Sequence, residues 1–500
     1  MNARILLILA ALLFSWYPAQ SGDSPKREMR AVWIATVANI DWPSRRDLSS
    51  EDQKRELIEL LDLVKTYHMN TVILQIRPTA DAFYPSELEP WSYWLTGEQG
   101  KAPSPNYDPL AFAVTECRKR GLDIHLWLNP YRAEMDTSKN TLDASHPAKI
   151  NPEWFVTYGK TRYFNPGLQE TRDHVASVVA DLVRRYDIDA IHMDDYFYPY
   201  PAGGQEFPDS VAFSQYPRGF PTEALDLWRK DNVDLIIKQL KDTLQSVKPH
   251  VQLGISPFGV WRNIDRDPAG SNTQAGVTNY DDLHADVLKW QREGWIDYIT
   301  PQLYWHIGME AADYKTLVEW WSNNTYGCHL YIGQAFYRIN KDSPNRSWRS
   351  SKEISRQLNL NRQIPNVEGS MYFSAKSLRQ NPLRLQPRLL RTHYKYEAIP
   401  PVNNRVQQIS AEPPLEAKMA FDADSIHFTW KAGANNKAFV IYKFRKGRPA
   451  NVDEAENIVR VTGETQALIE NSFRTRPGRY FYMISALSPT NQESVQVFFK

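Results

Sequence analysis

A (β/α)8 barrel of the TIM type, followed by a small all-β module, is the fold class the sequence predicts, on three observations. Apolar runs of strand length alternate with amphipathic runs of helix length from about residue 30 to residue 390. The strand candidates are continuously apolar, as a parallel sheet buried on both faces requires. Eight such units fill that span, which suits a closed barrel with long loops better than a doubly wound sheet. A dinucleotide-binding layout would want a Gly-rich turn after its first strand, and the stretch from Ala35 to Pro43 contains no glycine.

The units follow in order. Strand 1, Met29–Val37, precedes a helix over Asp52–His68, where Leu57, Ile58, Leu61 and Val64 recur at i, i+3, i+4 spacing. Strand 2, Thr71–Arg77, leads to a helix over Pro109–Arg120, and strand 3, Asp123–Asn129, to the long helix Leu168–Tyr186. Strand 4 spans Asp189–Asp195 and is followed by the helix Thr222–Val247. Strand 5 spans Val251–Pro257, with its helix at Asp281–Glu293; strand 6 spans Asp297–Tyr304, with its helix at Asp313–Ser322. His329–Gln334 and Val367–Phe373 are strands 7 and 8, separated by the helix Lys352–Leu360, and a last helical stretch follows. The barrel is assigned to residues 28–395.

Beyond a Pro-rich linker the pattern changes to short alternating strands: Ser425–Trp430, Ala438–Lys443, Thr465–Ile469, Gly478–Ala486 and Ser494–Phe499. Their even spacing predicts a β-sandwich of fibronectin or immunoglobulin type over residues 403–500. Residues 1–21 read as a secretory leader: Arg4 precedes an apolar run, Ile5 to Phe14, and small residues surround a cleavage point near Ser21. The run is shorter than the roughly 20 residues a membrane span needs. No cysteine follows it, so no lipid anchor is expected, and the mature chain is predicted to be periplasmic or secreted without an integral membrane span. Cys117 and Cys328 lie far apart and predict buried thiols rather than a disulfide framework.

Composition narrows the function. With 59 Lys and Arg against 58 Asp and Glu, the chain lacks the basic excess of a nucleic-acid binder. The aromatic share is high, with 16 Trp, 26 Tyr and 20 Phe. In a barrel of this type the C-terminal strand ends and the loops after them build the active site. Polar and aromatic residues accumulate there: Asn39, Asp41 and Trp42 after strand 1, Gln75 and Arg77 on strand 2, and Asn129, Tyr131 and Arg132 after strand 3. Strand 4 closes with Asp194, Asp195 and Tyr196. Trp261 follows strand 5, Gln302, Tyr304 and Trp305 end strand 6, and Gln334 ends strand 7.

This lining suits a polyhydroxylated ligand, with rings to stack on sugars and amides and carboxylates to bind hydroxyls. Trp42, Trp91, Trp94, Trp261 and Trp305 are the stacking candidates, whereas Trp320 and Trp321 lie on a helix and read as packing. A phosphate-binding Gly-rich loop and a G-x-S-x-G nucleophile elbow are both missing. His125 and His192 lie inside strands rather than at their ends, so neither a metal set nor any other cofactor is expected. The sharpest feature is His192-Met-Asp-Asp-Tyr-Phe-Tyr-Pro. A carboxylate doublet closing a buried strand is costly to desolvate unless it is used or paired. Alternation along a strand sends the two side chains to opposite sides, so one is expected to face the axis and the other to turn into the loop. Glycoside hydrolysis generally needs two carboxyl groups, one acid and one base or nucleophile. Asp194 is the first candidate; Asp195, Asp41, Glu134, Glu206 and Asp265 are open as the second.

The stretches Arg30–Pro43, Gln75–Ser86, Pro90–Gly97 and His192–Pro199, together with Trp228–Val233 and Pro301–Trp305, resemble the glycosyl-hydrolase-like 10 family. That resemblance spans roughly residues 28–395. It implies an exported barrel glycosidase related to the enzyme that cuts peptide-free peptidoglycan glycans, with its site around Asp194, Asn39, Arg77, Asn129, Tyr304 and Trp305. Three readings therefore stand: a glycoside hydrolase acting on a cell-wall glycan or a related polysaccharide, a glycan-binding barrel without catalysis and, with least in the sequence to favour it, a metal-dependent polysaccharide deacetylase. The second predicts a cleft lacking a pair of neighbouring carboxyls. Oligomeric state is not legible.

Overall fold

The computed structural model describes residues 24–139 and 142–500, so the expected leader lies outside the described residues. Eight parallel strands close into a barrel: β1 Met29–Ile34, β2 Thr71–Arg77, β3 Asp123–Leu128, β4 Ala190–Met193, β5 Gln252–Ile255, β6 Tyr298–Ile299, β7 His329–Ala335 and β8 Val367–Phe373. Each pairs with its neighbour in sequence, and β1 also pairs with β8 through Met29 opposite Gly369 and Val32 opposite Tyr372.

Alternation along each strand separates two cores. Met29, Ala31, Trp33 and Ala35 of the first unit point into the barrel with Ile73, Trp127, Tyr298, Tyr331 and Met371. Val32 and Ile34 point outward into the large layer between strands and helices. Gly254 is needed on β5 because a Cβ there would fall 1.8 Å from the ring of Tyr298, which fills the barrel interior.

The main helices are α1 Ser50–Thr66, α2 Pro109–Lys119, α3 Gln169–Arg185, α4 Leu225–Val247, α5 Val287–Arg292, α6 Tyr314–Ser322, α7 Lys352–Gln363 and α8 Ala375–Gln380, with shorter helical segments at Tyr93–Thr96, Pro147–Ile150, Ser210–Gln215 and Leu385–Arg391. The side chains of Ser49, Asp108 and Asp313 cap α1, α2 and α6 by accepting from backbone N–H groups in the first turn. Several predicted elements are shortened, β1 ending at Ile34, β4 at Met193 and β5 at Ile255, and two more have an evident cause. Pro301 cannot donate to a strand ladder, and β6 ends at Ile299 rather than Tyr304. The helix predicted from Asp281 begins at Val287, because Asp286 caps it by accepting from the Lys289 N–H at 3.2 Å. An antiparallel sheet of Arg132–Glu134, Phe155–Tyr158 and Thr161–Phe164, not foreseen from the sequence, rises from the loop after β3. Among the described residues no helix is long and apolar enough to cross a membrane. Cys117 and Cys328 are free and buried.

The C-terminal region forms two antiparallel sheets. One holds β9 Leu415–Phe421, β10 Ser425–Lys431 and β13 Gln466–Glu470; the other holds β11 Ala438–Arg445, β12 Ile458–Thr462, β14 Tyr480–Leu487 and β15 Val497–Phe498. Phe428 and Trp430 from the first sheet share a core with Phe439 and Ile484 from the second. These sheets close the bottom of the barrel. Lys437 Nζ lies 2.7 Å from Asp123, which opens β3, and 3.0 Å from Asp189, which precedes β4, and Asn491 donates to Asp123 at 2.8 Å. Gly463 lies so close to the end of α2 that a Cβ would meet the Arg118 carbonyl oxygen at 1.7 Å.

Candidate active site

The candidate site grows from the end of β4. Ala190 and His192 face the barrel interior while Ile191 and Met193 face the helices. Asp194 continues the inward series. Strand pairing stops at Met193, the chain turns, and Asp195 lines the same cavity as Asp194. The expectation that alternation would send one aspartate away from the axis is thus corrected: the strand is too short to impose it. Both carboxyls open on a cavity of about 250 Å3 at the C-terminal mouth of the barrel, with Trp33, Trp127, Tyr304, Tyr337 and Phe373 among its walls.

The two carboxyls have different surroundings. Asp194 is held by N–H donors, accepting from Trp127 Nε1 at 3.1 Å and from Asn129 Nδ2 at 3.1 and 3.2 Å. Burial raises its pKa, against the nearby Arg132 guanidinium and those hydrogen bonds. Asp195 accepts a short hydrogen bond from the Tyr200 hydroxyl. Burial, and next the charge of Asp194, push its carboxyl up to about 7. The pair therefore holds one group that is readily protonated at neutral pH beside one anchored by N–H donors, which is the pattern that separates an acid from its partner.

A polar column forms the floor beneath them. His192 contacts Ser256 Oγ at 3.0 Å and accepts from Trp33 Nε1 at 3.2 Å through one ring nitrogen, and its other nitrogen lies 2.9 Å from the Tyr298 hydroxyl. The same hydroxyl is 2.9 Å from His125. Burial holds His192 well below the usual histidine range, so it is neutral. Two further clefts flank the cavity. One, of about 490 Å3, shares Tyr304 and Tyr337 with it and carries Trp305 and Arg338; the other, of about 550 Å3, lies by Asn39, Arg46 and Tyr93.

Of the candidates named from sequence, Arg132, Tyr196, Gln302 and Tyr304 line the cavity with Asp194 and Asp195. The Arg132 guanidinium sits 5.3 Å from the Tyr196 ring centroid, and Gln302 donates to the Ser256 carbonyl at 2.8 Å. Asn129 acts one step back, through Asp194. Asn39 and Trp305 reach the flanking clefts, and the Asn39 amide also clamps its loop by donating to the carbonyls of Pro43 and Trp94, each at 2.9 Å.

The rest lie away from the cavity. Trp42 is 1% exposed and donates to the Gln53 carbonyl, so it is core and not a stacking surface. Asp41 accepts from Ala35 N, Ser374 Oγ and Lys376 N, tying the loop after β1 to the end of β8. Gln75 holds the backbone of Thr36 and Val37, and Arg77 pairs with Glu89 in full burial. Tyr131 is buried, Gln334 bonds Gln357, and Trp261 stacks on Trp320 with centroids 5.8 Å apart. Sequence reasoning missed Trp33, Trp127, Tyr200, Tyr337 and Phe373. Trp33 and Trp127 were foreseeable, being the inward positions nearest the C-terminal ends of β1 and β3. Among the described residues no cluster of three or more His, Cys, Asp and Glu side chains is placed to hold a metal ion.

Comparison with known proteins identifies the family. "Glycosyl hydrolase YngK" from Bacillus subtilis is 44% identical over 493 residues, covering 96% of this chain and 95% of that protein. "Glycosyl hydrolase DigH" from Escherichia coli K12 is 35% identical over 378 residues, 71% of this chain and 85% of that protein. Among solved structures, the PgaB (BpsB) glycoside hydrolase domain from Bordetella bronchiseptica superposes with a TM-score of 0.48 at 13% identity, over 73% of this chain and 98% of that one. The model of the family described as glycosyl hydrolase-like 10 matches residues 28–350, from the start of β1 to the edge of α7. An eight-stranded barrel with a carboxylate doublet at its mouth, matched over most of its length, thus belongs to the glycosyl hydrolase-like 10 family.

Proposed function

We propose that this chain is an exported glycoside hydrolase that cleaves O-glycosidic bonds in a bacterial cell-wall glycan, peptide-free peptidoglycan strands or a related polysaccharide. Asp195 is the general acid and Asp194 its partner carboxylate. The observation that carries this reading is the pair itself, two carboxyls in one aromatic-walled cavity with Asp195 pushed up to about 7. The names of its relatives, both glycosyl hydrolases, support the chemistry. Arg132, Tyr196, Gln302 and Tyr304 bind the sugar at the cleavage point, and Trp305 and Asn39 border it on either side. Residues 1–21 serve as the leader, and the two C-terminal sheets are a fibronectin-type sandwich that supports the barrel from below.

The test is to incubate the protein with peptide-free glycan strands and with unrelated polysaccharides, and to measure new reducing ends. Release from the first that is abolished in Asp195→Asn is expected. Saturable binding with no release from any glycan would overturn the assignment in favour of a binding protein.

A further inference from the structure

A two-carboxylate glycosidase places its groups on either side of the scissile bond, one protonating the leaving oxygen and the other attacking or activating water from the opposite face. That geometry is hard to build here. Among the described residues that line the cavity, Asp194 and Asp195 alone carry carboxylates. They are consecutive and leave the same strand end, so both come from one wall. The facing walls are Trp33, Tyr304, Tyr337 and Phe373, which offer no carboxylate. Asp194 is also a restrained group, because N–H donors on Trp127 and Asn129 occupy both of its oxygens and fix its orientation.

An acceptor so fixed, beside a small apolar cup, matches an amide: the carboxylate takes the N–H, and the aromatic walls take the methyl. Resting on the glycosidase reading, we propose that the attacking group is carried by the substrate, a β-linked 2-acetamido sugar whose acetyl oxygen attacks its own anomeric carbon. The class of substrate is thereby narrowed to glycans of 2-acetamido-2-deoxyhexoses, in which the acetamido group is trans to the leaving group and can reach C1.

The steps balance. Asp195 gives its proton to the glycosidic oxygen as the C1–O bond breaks and the acetyl carbonyl oxygen bonds to C1. The ring so formed is an oxazolinium ion, its positive charge shared with the nitrogen whose N–H donates to the Asp194 carboxylate. Water then bonds to C1 and passes a proton to the Asp195 carboxylate, while the bond from C1 to the acetyl oxygen breaks and restores the amide. One water is consumed, one glycosidic bond is lost, and two inversions retain the configuration.

The test alters the substrate rather than the protein. Peptide-free glycan strands are N-deacetylated, then either re-acetylated or trifluoroacetylated. The second has nearly the same shape but a poorly nucleophilic carbonyl. Re-acetylated strands should be cut like native ones, and the trifluoroacetylated strands about 100-fold more slowly in kcat with a similar KM, the scale of losing one directly participating group. Cleavage of trifluoroacetylated or deacetylated strands within about threefold of the native rate would overturn substrate participation and leave the glycosidase reading standing. If no strand of any kind is cut, the glycosidase reading itself falls and this inference with it. In the protein, Asp194→Asn should lower kcat on native strands by a larger factor than on trifluoroacetylated strands, because only a participating acetyl group draws on that carboxylate. Equal loss on both would mean that Asp194 serves some other step.

Discussion

The two ends of the barrel each hold a pair of buried aspartates, and one member of the bottom pair, Asp189, is shifted opposite to Asp195 at the top. At the bottom, Asp123 and Asp189 share Lys437, and Arg118 Nη1 adds a second cation 2.7 Å from Asp189. Burial pushes Asp189 up, but Arg118 and Lys437 outweigh it, and its carboxyl lies well below the usual carboxylate range. At the top, Asp194 and Asp195 have no ion pair among the described residues; Arg132 acts on Asp194 only from a distance. Asp195 is pushed up to about 7. Asp189 and Asp195 are buried alike and shifted in opposite directions: two cations hold the first down and, among the described residues, none pairs with the second. Asp123, whose one ion pair among the described residues is with Lys437, is raised by burial and by the charge of Asp189. This is the division between stability and chemistry that barrels of this class draw between their two faces.

The comparison can be broken from either end. The largest effect is expected from Asp195→Asn, which should lower kcat/KM on glycan strands by about 10^2 to 10^4-fold and leave the thermal midpoint unchanged or raised. Lys437→Met should do the reverse. By leaving Asp123 buried beside Asp189 without its cation, it should destabilise the fold by about 3–5 kcal/mol in denaturant titration, with kcat of the folded fraction intact. Asp123→Asn added to Lys437→Met should recover part of that loss.

The pH dependence separates the ends by sign. Asp195 must carry its proton, so activity should be full on the acid side of about 7 and fall as pH rises through that value. Because its folded pKa is raised, its contribution to stability is present at low pH and is also lost as pH rises toward 7. Asp189 runs the other way. Its depressed pKa contributes stability above the ordinary aspartate range, and that is lost only as strong acid protonates it. A kcat/KM profile that does not fall above pH 7 would remove Asp195 as the acid. Arg132→Ala should weaken turnover about tenfold, about one hydrogen-bond-scale contact to the sugar or to Asp194. Trp261→Phe should change kcat/KM by less than about twofold, since that ring stacks on Trp320 away from the cavity.

Much of the barrel is legible in the sequence because its strands are buried on both faces. Thr71–Arg77 and Val367–Phe373 stand as predicted, flanked by helices whose apolar spacing is regular. The reading fails where one residue overrides the run, as Pro301 does on β6, and where a strand is mostly exposed, as Leu415–Phe421 is. At the site, the rule that chemistry gathers at C-terminal strand ends finds Asp194, Asp195 and Tyr304, but it cannot tell a residue facing the cavity from one bracing it. Trp42, Asp41 and Arg77 have the same chemistry as cavity residues. Only their partners, Gln53, Ser374 and Glu89, show that they hold loops together. Trp33 and Trp127 went unnoticed for the opposite reason, since an apolar residue inside a strand reads as core until its position along the barrel axis is known.

The column of His192, Tyr298 and His125 has a consequence for how a polymer must lie. It plugs the barrel beneath the carboxyls, so a sugar chain cannot thread downward and has to run across the mouth. The clefts beside Trp305 and beside Arg46 leave room for the chain on both sides of the cutting point. On the proposed function, a strand held that way would be severed in its interior. Its average length should collapse early in the reaction, long before single sugars accumulate.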